Sequence, residues 1–137
     1  MQLFDTHAHL DQTDFDGDRA EVIARAHAAG VENMIAIGIS ADTSAASIEV
    51  AAKYDGVYAA VGMQPNYLAE AKPGDWERVV AMLDQPKVVA IGETGLDRHW
   101  DFTPFEMQQD YFDRHLRLSQ ERDLPFIVHI RDCDEDV

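Results

Sequence analysis

The sequence predicts an α/β protein with a parallel sheet, in the form of a partial βα barrel of about five strands and four helices. Short apolar, β-branched segments alternate along the chain with stretches of helical periodicity. The first strand runs directly into a polar segment with no glycine-rich turn, which argues against an open nucleotide-binding sheet. Because whole barrels of this kind need about 250 residues, we expect residues 1–137 to form one truncated domain with just over half of a barrel.

Apolar segments predict strands at 3–7, 34–39, 57–61, 88–93 and 126–130, with helices at 18–29, 42–54, 75–83 and 104–122. The last helix has the clearest predicted start. Thr103 and Glu106 have the spacing of a capping box, and Pro104 stands at the first helical position, where no amide donor is lost.

Composition and charge restrict the class of protein and its location in the cell. The chain is 46% hydrophobic and 27% charged, which is typical of a globular domain. We find no targeting segment and no apolar run approaching the roughly 20 residues of a membrane helix, and the single cysteine, Cys133, cannot form an internal disulfide. We therefore predict a cytoplasmic location. A net charge of −15 opposes attraction of a nucleic acid, although bound divalent cations reverse the local field.

Four residues at predicted strand ends are candidate metal ligands. His7 and His9 are two residues apart, so both imidazoles project to the same side of a strand. Glu93 closes an apolar strand, where a buried carboxylate needs a cation. His129 lies within the last strand, and all four positions fall at the end of the sheet where βα-barrel sites are assembled.

Three imidazoles and one carboxylate are ligands suited to Zn²⁺, Mn²⁺ or a related ion. A carboxylate can bridge two such ions, and we predict this bridging and catalytic role for Glu93. Two divalent metal ions (Zn, Mn or Mg) would activate water for hydrolysis, which is the predicted reaction class.

These residues lie in three motifs that resemble the TatD family of metal-dependent deoxyribonucleases. Residues 5–11 resemble its opening Asp-Thr-His-x-His-Leu-Asp, residues 92–97 its Gly-Glu-x-Gly-Leu-Asp, and residues 124–132 its Leu-Pro-x-x-x-His-x-Arg-Asp. The resemblance implies a TIM-like barrel, a dinuclear site and hydrolysis of phosphodiester bonds, commonly as a 3′ to 5′ exonuclease with DNA as substrate. It also implies that His7 and His9 bind the first metal and His129 the second, with Glu93 between them.

The same resemblance suggests contacts around the metals. Arg131 is a candidate phosphate contact, and Asp132 is a candidate support for the metal ligands from behind. The alternative for both residues is a surface ion pair beyond the end of the strand. In the loop after the fourth strand, His99 could meet a phosphate and Trp100 could stack on a base, the alternative for Trp100 being simple packing.

Two features depart from the family pattern. Gln64 and Asn66 stand where Gly-x-His-Pro-His is usual; both can form hydrogen bonds, but neither becomes a cation, and Gln64 stays a candidate substrate contact. The chain also stops at Val137, before the strands that supply a further histidine and aspartate in the family. We therefore expect the chain alone to be a poor catalyst.

Two alternatives remain open from the sequence. One is an amidohydrolase-like enzyme that uses a similar His-x-His opening on C–N or C–O bonds. The other is a non-catalytic fragment that binds metal or a partner through exposed sheet edges, since half a barrel leaves its first and fifth strands unpaired. Self-association through these edges is a further expectation.

Overall fold

The computed structural model describes residues 2–137 and contains a single parallel sheet of five strands in the order β1-β2-β3-β4-β5. The strands are β1 Leu3–Ala8, β2 Val31–Ile37, β3 Val57–Val61, β4 Val88–Asp97 and β5 Phe126–Arg131. The helices are α1 Arg19–Ala28, α2 Ala41–Lys53, α3 Asp75–Met82 and α4 Phe105–Arg122, with short 3-10 helices at Thr13–Phe15 and Pro65–Glu70. The predicted partial barrel of five strands and four α-helices is therefore confirmed.

The main core lies between the sheet and the helices that cover its outer face. Outward-facing residues of successive strands, such as Ala36, Ala59 and Ile91, are buried there against the helices. The other face holds a smaller cluster, in which Ile37 and Ala60 are buried. Because the strands are parallel, their carboxyl ends meet at one edge of the sheet, which is where the predicted site residues collect.

The fourth strand is longer than the sequence predicts. It was expected to end at Glu93 but continues to Asp97, because β5 pairs with it over Thr94–Asp97. A run that reads Thr-Gly-Leu-Asp has little strand character by itself, so its extended conformation depends on the neighbouring strand. The consequence is that Asp97 is carried on the same strand as Glu93.

The predicted capping box of the last helix is wrong. Pro104 is the N-cap of α4 and receives no side-chain cap, while the hydroxyl of Thr103 accepts a hydrogen bond from the amide of Ala69 at 3.2 Å. A capping box exists instead on α2. There the Ser40 hydroxyl accepts from the amide of Thr43 at 3.2 Å, and the Thr43 hydroxyl accepts from the amide of Ser40 at 2.9 Å.

We expect Ser40→Ala to lower the free energy of unfolding by about 1 kcal/mol, because it removes the acceptor for one unpaired amide of the first turn of α2. Urea unfolding of both proteins measures the change. Thr13→Ala is the control, because Thr13 is exposed and its hydroxyl forms no hydrogen bond within residues 2–137, and it should leave the midpoint of unfolding unchanged within the error of measurement. Equal stability of Ser40→Ala and the unmodified chain would contradict the cap assignment.

The predicted open edges are present, since β1 pairs only with β2 and β5 only with β4 within the described residues. Large apolar side chains on these strands are partly in solvent: Phe4 is 52% exposed and Ile130 is 45% exposed. Self-association through these edges stays a prediction.

Candidate metal centre

Glu93 lies at the centre of the site and is only 6% exposed. Its amide donates to the carbonyl of Gly38 at 2.8 Å, which ties β4 to the end of β2. Gly92, just before it, has φ +141°, and a Cβ there would lie 2.7 Å from the carbonyl oxygen of Ile127. Glycine in the Gly-Glu motif therefore permits the close approach of strands that holds the carboxylate in place.

His7, in the first strand, and His9, directly after it, face one oxygen of this carboxylate. The Nε2 atoms of His7 and His9 lie 3.8 Å and 3.6 Å from Oε2 of Glu93. The Nδ1 atom of His9 is 3.1 Å from the carbonyl oxygen of Ile37, an acceptor that selects the tautomer protonated at Nδ1. The lone pair of Nε2 is thereby left free toward Glu93.

His129 faces the other oxygen of Glu93. Its Nδ1 lies 3.1 Å from Oε1, and its Nε2 lies 2.8 Å from Oδ2 of Asp97. The hydrogen bond with Glu93 raises the pKa of His129, burial opposes this, and the Asp97 bond adds to the increase. Glu93 thus separates two groups of imidazoles, with His7 and His9 on one oxygen and His129 on the other.

Asp97 is a site residue that the sequence reasoning missed. It is 1% exposed and accepts hydrogen bonds from the side chain of Asn66 and from the amides of His99 and Trp100, besides its contact with His129. Burial raises its pKa, but the hydrogen bonds outweigh that effect and hold the pKa below its usual value. The available signal was its spacing: residues 93 and 97 are four apart and lie on the same side of an extended strand.

The two residues that depart from the family pattern are drawn into this network. Gln64 is 6% exposed, its Oε1 accepts from the amide of Asn66 at 2.7 Å, and its Nε2 lies 3.3 Å from Nδ1 of His129. The structure places Gln64 against a candidate ligand instead of on an open surface. Its predicted role as a substrate contact is not tested by this placement.

The other predicted contacts lie at the exposed rim. His99 contacts Asp132, with Nδ1 3.0 Å from Oδ2, so Asp132 supports His99 and does not reach His129. The guanidinium of Arg131 lies above the Trp100 ring, 5.8 Å from its centroid. These residues are all exposed, and the amides of His99 and Trp100 are joined to the site through hydrogen bonds to Asp97.

His115 has a structural role that helix periodicity does not reveal. The sequence suggests a solvated or partly packed helix residue, but the side chain is fully buried. Its Nδ1 donates to the carbonyl of Tyr111 at 2.6 Å, and its Nε2 accepts from the amide of Met63 at 3.1 Å. It therefore anchors the loop that carries Gln64, and burial lowers its pKa to about 4.

We expect this histidine to make the fold sensitive to acid. The pKa of His115 is about 4 in the folded chain and 6.5 in the unfolded chain. The contribution of the neutral imidazole to the free energy of unfolding is therefore complete above pH 6.5 and is lost as the pH falls toward 4. The loss is on the order of 3 kcal/mol. Urea unfolding at a series of pH values measures it, with His115→Gln as the comparison because an amide does not titrate. Equal losses of stability in both proteins between pH 6.5 and 4 would contradict this assignment.

The donors present fit a divalent metal. One ligand atom each from His7, His9 and Glu93 lies within 4.8 Å of the other two, and this is a group of nitrogen and oxygen donors that Zn²⁺ and Mn²⁺ accept. No lysine or arginine pairs with the buried Glu93 among residues 2–137; its charged-group contacts there are all imidazoles. A buried carboxylate that is surrounded by imidazoles and has no basic partner can be stabilised by binding a cation.

A parallel βα half-barrel with histidines and a carboxylate at the carboxyl ends of its strands defines the class of barrel-type metal-dependent hydrolases. The chain belongs to the TatD family, because the family model "TatD related DNase" matches residues 4–137.

Individual proteins that resemble the chain support this family assignment. The chain is 42% identical over 135 residues to "Uncharacterized metal-dependent hydrolase YabD" of Bacillus subtilis, covering 98% of this chain and 53% of that protein. It is 33% identical over 133 residues to "3'-5' ssDNA/RNA exonuclease TatD" of Salmonella typhimurium, covering 97% and 51%. The crystal structure of the TatD homologue YjjV from Escherichia coli superposes with a TM-score of 0.88 at 37% identity, covering 95% and 51%.

The chain spans about half the length of the curated relatives it matches. Within the described residues, none of the helices combines the length and the apolar character needed to cross a bilayer.

Proposed function

We propose that this chain supplies His7, His9, Glu93 and His129 as ligands of two divalent metal ions in a hydrolase of phosphodiester bonds, with DNA as substrate. The observation that carries the proposal is the arrangement around Glu93. Its Oε2 faces two imidazoles and its Oε1 faces a third, so one carboxylate serves two positions. When bound, divalent ions supply Lewis-acid activation of water and of phosphoryl oxygens.

Two of the four ligands, His9 and His129, are oriented by a second contact. The carbonyl of Ile37 holds the His9 ring with Nε2 directed at Glu93. Asp97 contacts Nε2 of His129, so that Nδ1 is the ring atom turned toward Glu93. A carboxylate behind a ligating histidine sets its ring orientation and raises its basicity, and Asp97 is proposed in this role.

The relatives add the chemical class of the substrate. Six of them are named exonucleases of single-stranded DNA and RNA, and two are named metal-dependent hydrolases. The charge of −15 disfavours an approaching phosphate, so the proposal requires that bound cations offset this repulsion at the site.

The test is Mn²⁺-dependent release of nucleotides from labelled single-stranded DNA. It is run with this chain alone and with this chain joined to the carboxyl-terminal half of the B. subtilis relative, which resembles it at 42% identity. Cleavage that disappears in His9→Ala supports the proposal. Absence of cleavage in both forms, with Mn²⁺ bound, would leave a metal-binding chain and overturn the nuclease assignment.

A further inference from the structure

Two exposed aromatic rings stack on each other in the loop between β4 and α4. Trp100 is 44% exposed and Phe102 is 59% exposed, and their rings lie nearly parallel, 5.3 Å apart with an interplanar angle of 10°. The ring of His99 packs edge-on against Trp100 at 4.6 Å. Large aromatic rings usually gain stability by burial, so an ordered stack left in solvent is a surface suited to another flat ring.

Within the part of the chain that the structure describes, the guanidinium above this stack has no carboxylate partner. Seven of the eight arginines form ion pairs within residues 2–137, and Arg131 is the exception. It is exposed at the end of β5 and lies 5.8 Å from the centre of the Trp100 ring. An unpaired guanidinium can form a bidentate hydrogen bond with a phosphate.

The aromatic stack is tied to the candidate metal centre through one carboxylate. Oδ1 of Asp97 accepts from the amides of His99 and Trp100, both at 2.9 Å, while Oδ2 contacts Nε2 of His129 at 2.8 Å. Asp97 therefore sets the position of the loop and of a candidate ligand together.

Three nearby carboxylates contact protein donors: Asp132 contacts His99, Asp136 forms two hydrogen bonds with Arg98, and Asp97 is held by four donors. Asp101, which lies between the two stacked residues in sequence, forms no side-chain hydrogen bond or ion pair within residues 2–137. A cavity of about 420 Å³ adjoins Trp100 and is lined by Asp97 and Asp101, whereas Phe102 and Arg131 lie outside its lining.

We infer that the stack of Trp100 and Phe102, together with Arg131, binds an unpaired nucleobase and its adjacent phosphate. The inference rests on the proposed function, since it assigns this surface to the nucleic acid that enters the metal centre. Each base stacked on an aromatic ring contributes about 1–3 kcal/mol without reading sequence. Bases in a duplex are stacked on each other and have no free face to offer, so the surface selects single strands.

The experiment compares two oligonucleotides of equal length and charge, one an oligothymidylate and the other lacking all bases. Binding to the 137-residue chain is followed by fluorescence anisotropy at low salt in EDTA, so that neither hydrolysis nor metal binding contributes. We expect the base-bearing strand to bind about tenfold more tightly or better. It should also quench tryptophan fluorescence in the unmodified chain but not in Trp100→Phe, where Trp76 is the remaining tryptophan.

Substitutions separate stacking from charge. Trp100→Ala and Phe102→Ala should reduce the preference for the base-bearing strand, whereas Arg131→Gln should weaken both strands by a similar factor. Phe126→Ala is the matched control, because Phe126 is 42% exposed at the opposite end of β5. Equal binding of the two strands by the unmodified chain, or no binding of either, would overturn the inference. Mn²⁺ affinity of the unmodified chain is measured separately. If the chain prefers the base-bearing strand but does not bind Mn²⁺, the proposed function is refuted and the inference about the aromatic stack stands.

Discussion

Replacing Glu93 with glutamine is expected to raise the dissociation constant for Mn²⁺ by at least about 100-fold, the upper end of what is lost when only an outer partner of a ligand is removed. The amide keeps the shape of the side chain but removes the negative charge that faces His7, His9 and His129. Isothermal titration calorimetry with Mn²⁺ measures the change. In any form of the protein that cleaves DNA, turnover should fall by a similar factor.

Two further variants give this experiment a graded comparison. Asp97→Asn keeps the four candidate ligands but weakens the hydrogen bonds to His129 and to the loop after β4, so its loss of Mn²⁺ affinity should be nearer tenfold. Glu121→Gln removes an exposed carboxylate on α4 and should bind Mn²⁺ as the unmodified chain does. If Glu93→Gln behaves like Glu121→Gln, the bridging role of Glu93 is wrong.

A second large effect is expected from Gly95→Ala, which should lower the free energy of unfolding by at least about 3 kcal/mol. Gly95 has φ +137°, a conformation that side chains other than glycine rarely adopt, and a Cβ would lie 2.0 Å from the carbonyl oxygen of His129. Since Gly95 pairs with His129 across β4 and β5, relief of this clash requires the strands to separate. Urea unfolding reports the stability.

Gly17→Ala is the control for this substitution, because a Cβ at Gly17 meets no heavy atom within 4 Å and its φ lies outside the positive range. It should leave stability within about 0.5 kcal/mol of the unmodified chain, as surface substitutions generally do. A Gly95→Ala protein as stable as Gly17→Ala would show that the close approach of β4 and β5 is not required.

Much of the fold and the site could be predicted from local sequence pattern. The period-2 and apolar signals place five strands, and the polar residues that end them are the ones the structure brings together. Glu93 is far from His7 and His9 in the sequence, yet all three lie in or directly after a strand whose direction is known once the sheet is parallel. The spatial grouping of these side chains follows from that one topological inference.

Other features depend on contacts between distant segments. Asp97 belongs to the site because β5 extends β4 by four residues, and nothing in the Thr-Gly-Leu-Asp run predicts that extension. His115 anchors the loop after β3 from a helix 52 residues away. Thr103 has the spacing of a helix cap, but its hydroxyl accepts a hydrogen bond from the amide of Ala69 instead.

By itself, the sequence determined the order and direction of the elements and the chemical types of donor at the strand ends, because periodicity and residue type are local properties. Only the tertiary structure decided which oxygen of Glu93 each imidazole faces, and which arginine lacks a carboxylate partner among residues 2–137. These outcomes depend on distances of a few ångströms between segments far apart in the chain. Such distances are set by how strands and helices pack together, and no local pattern records them.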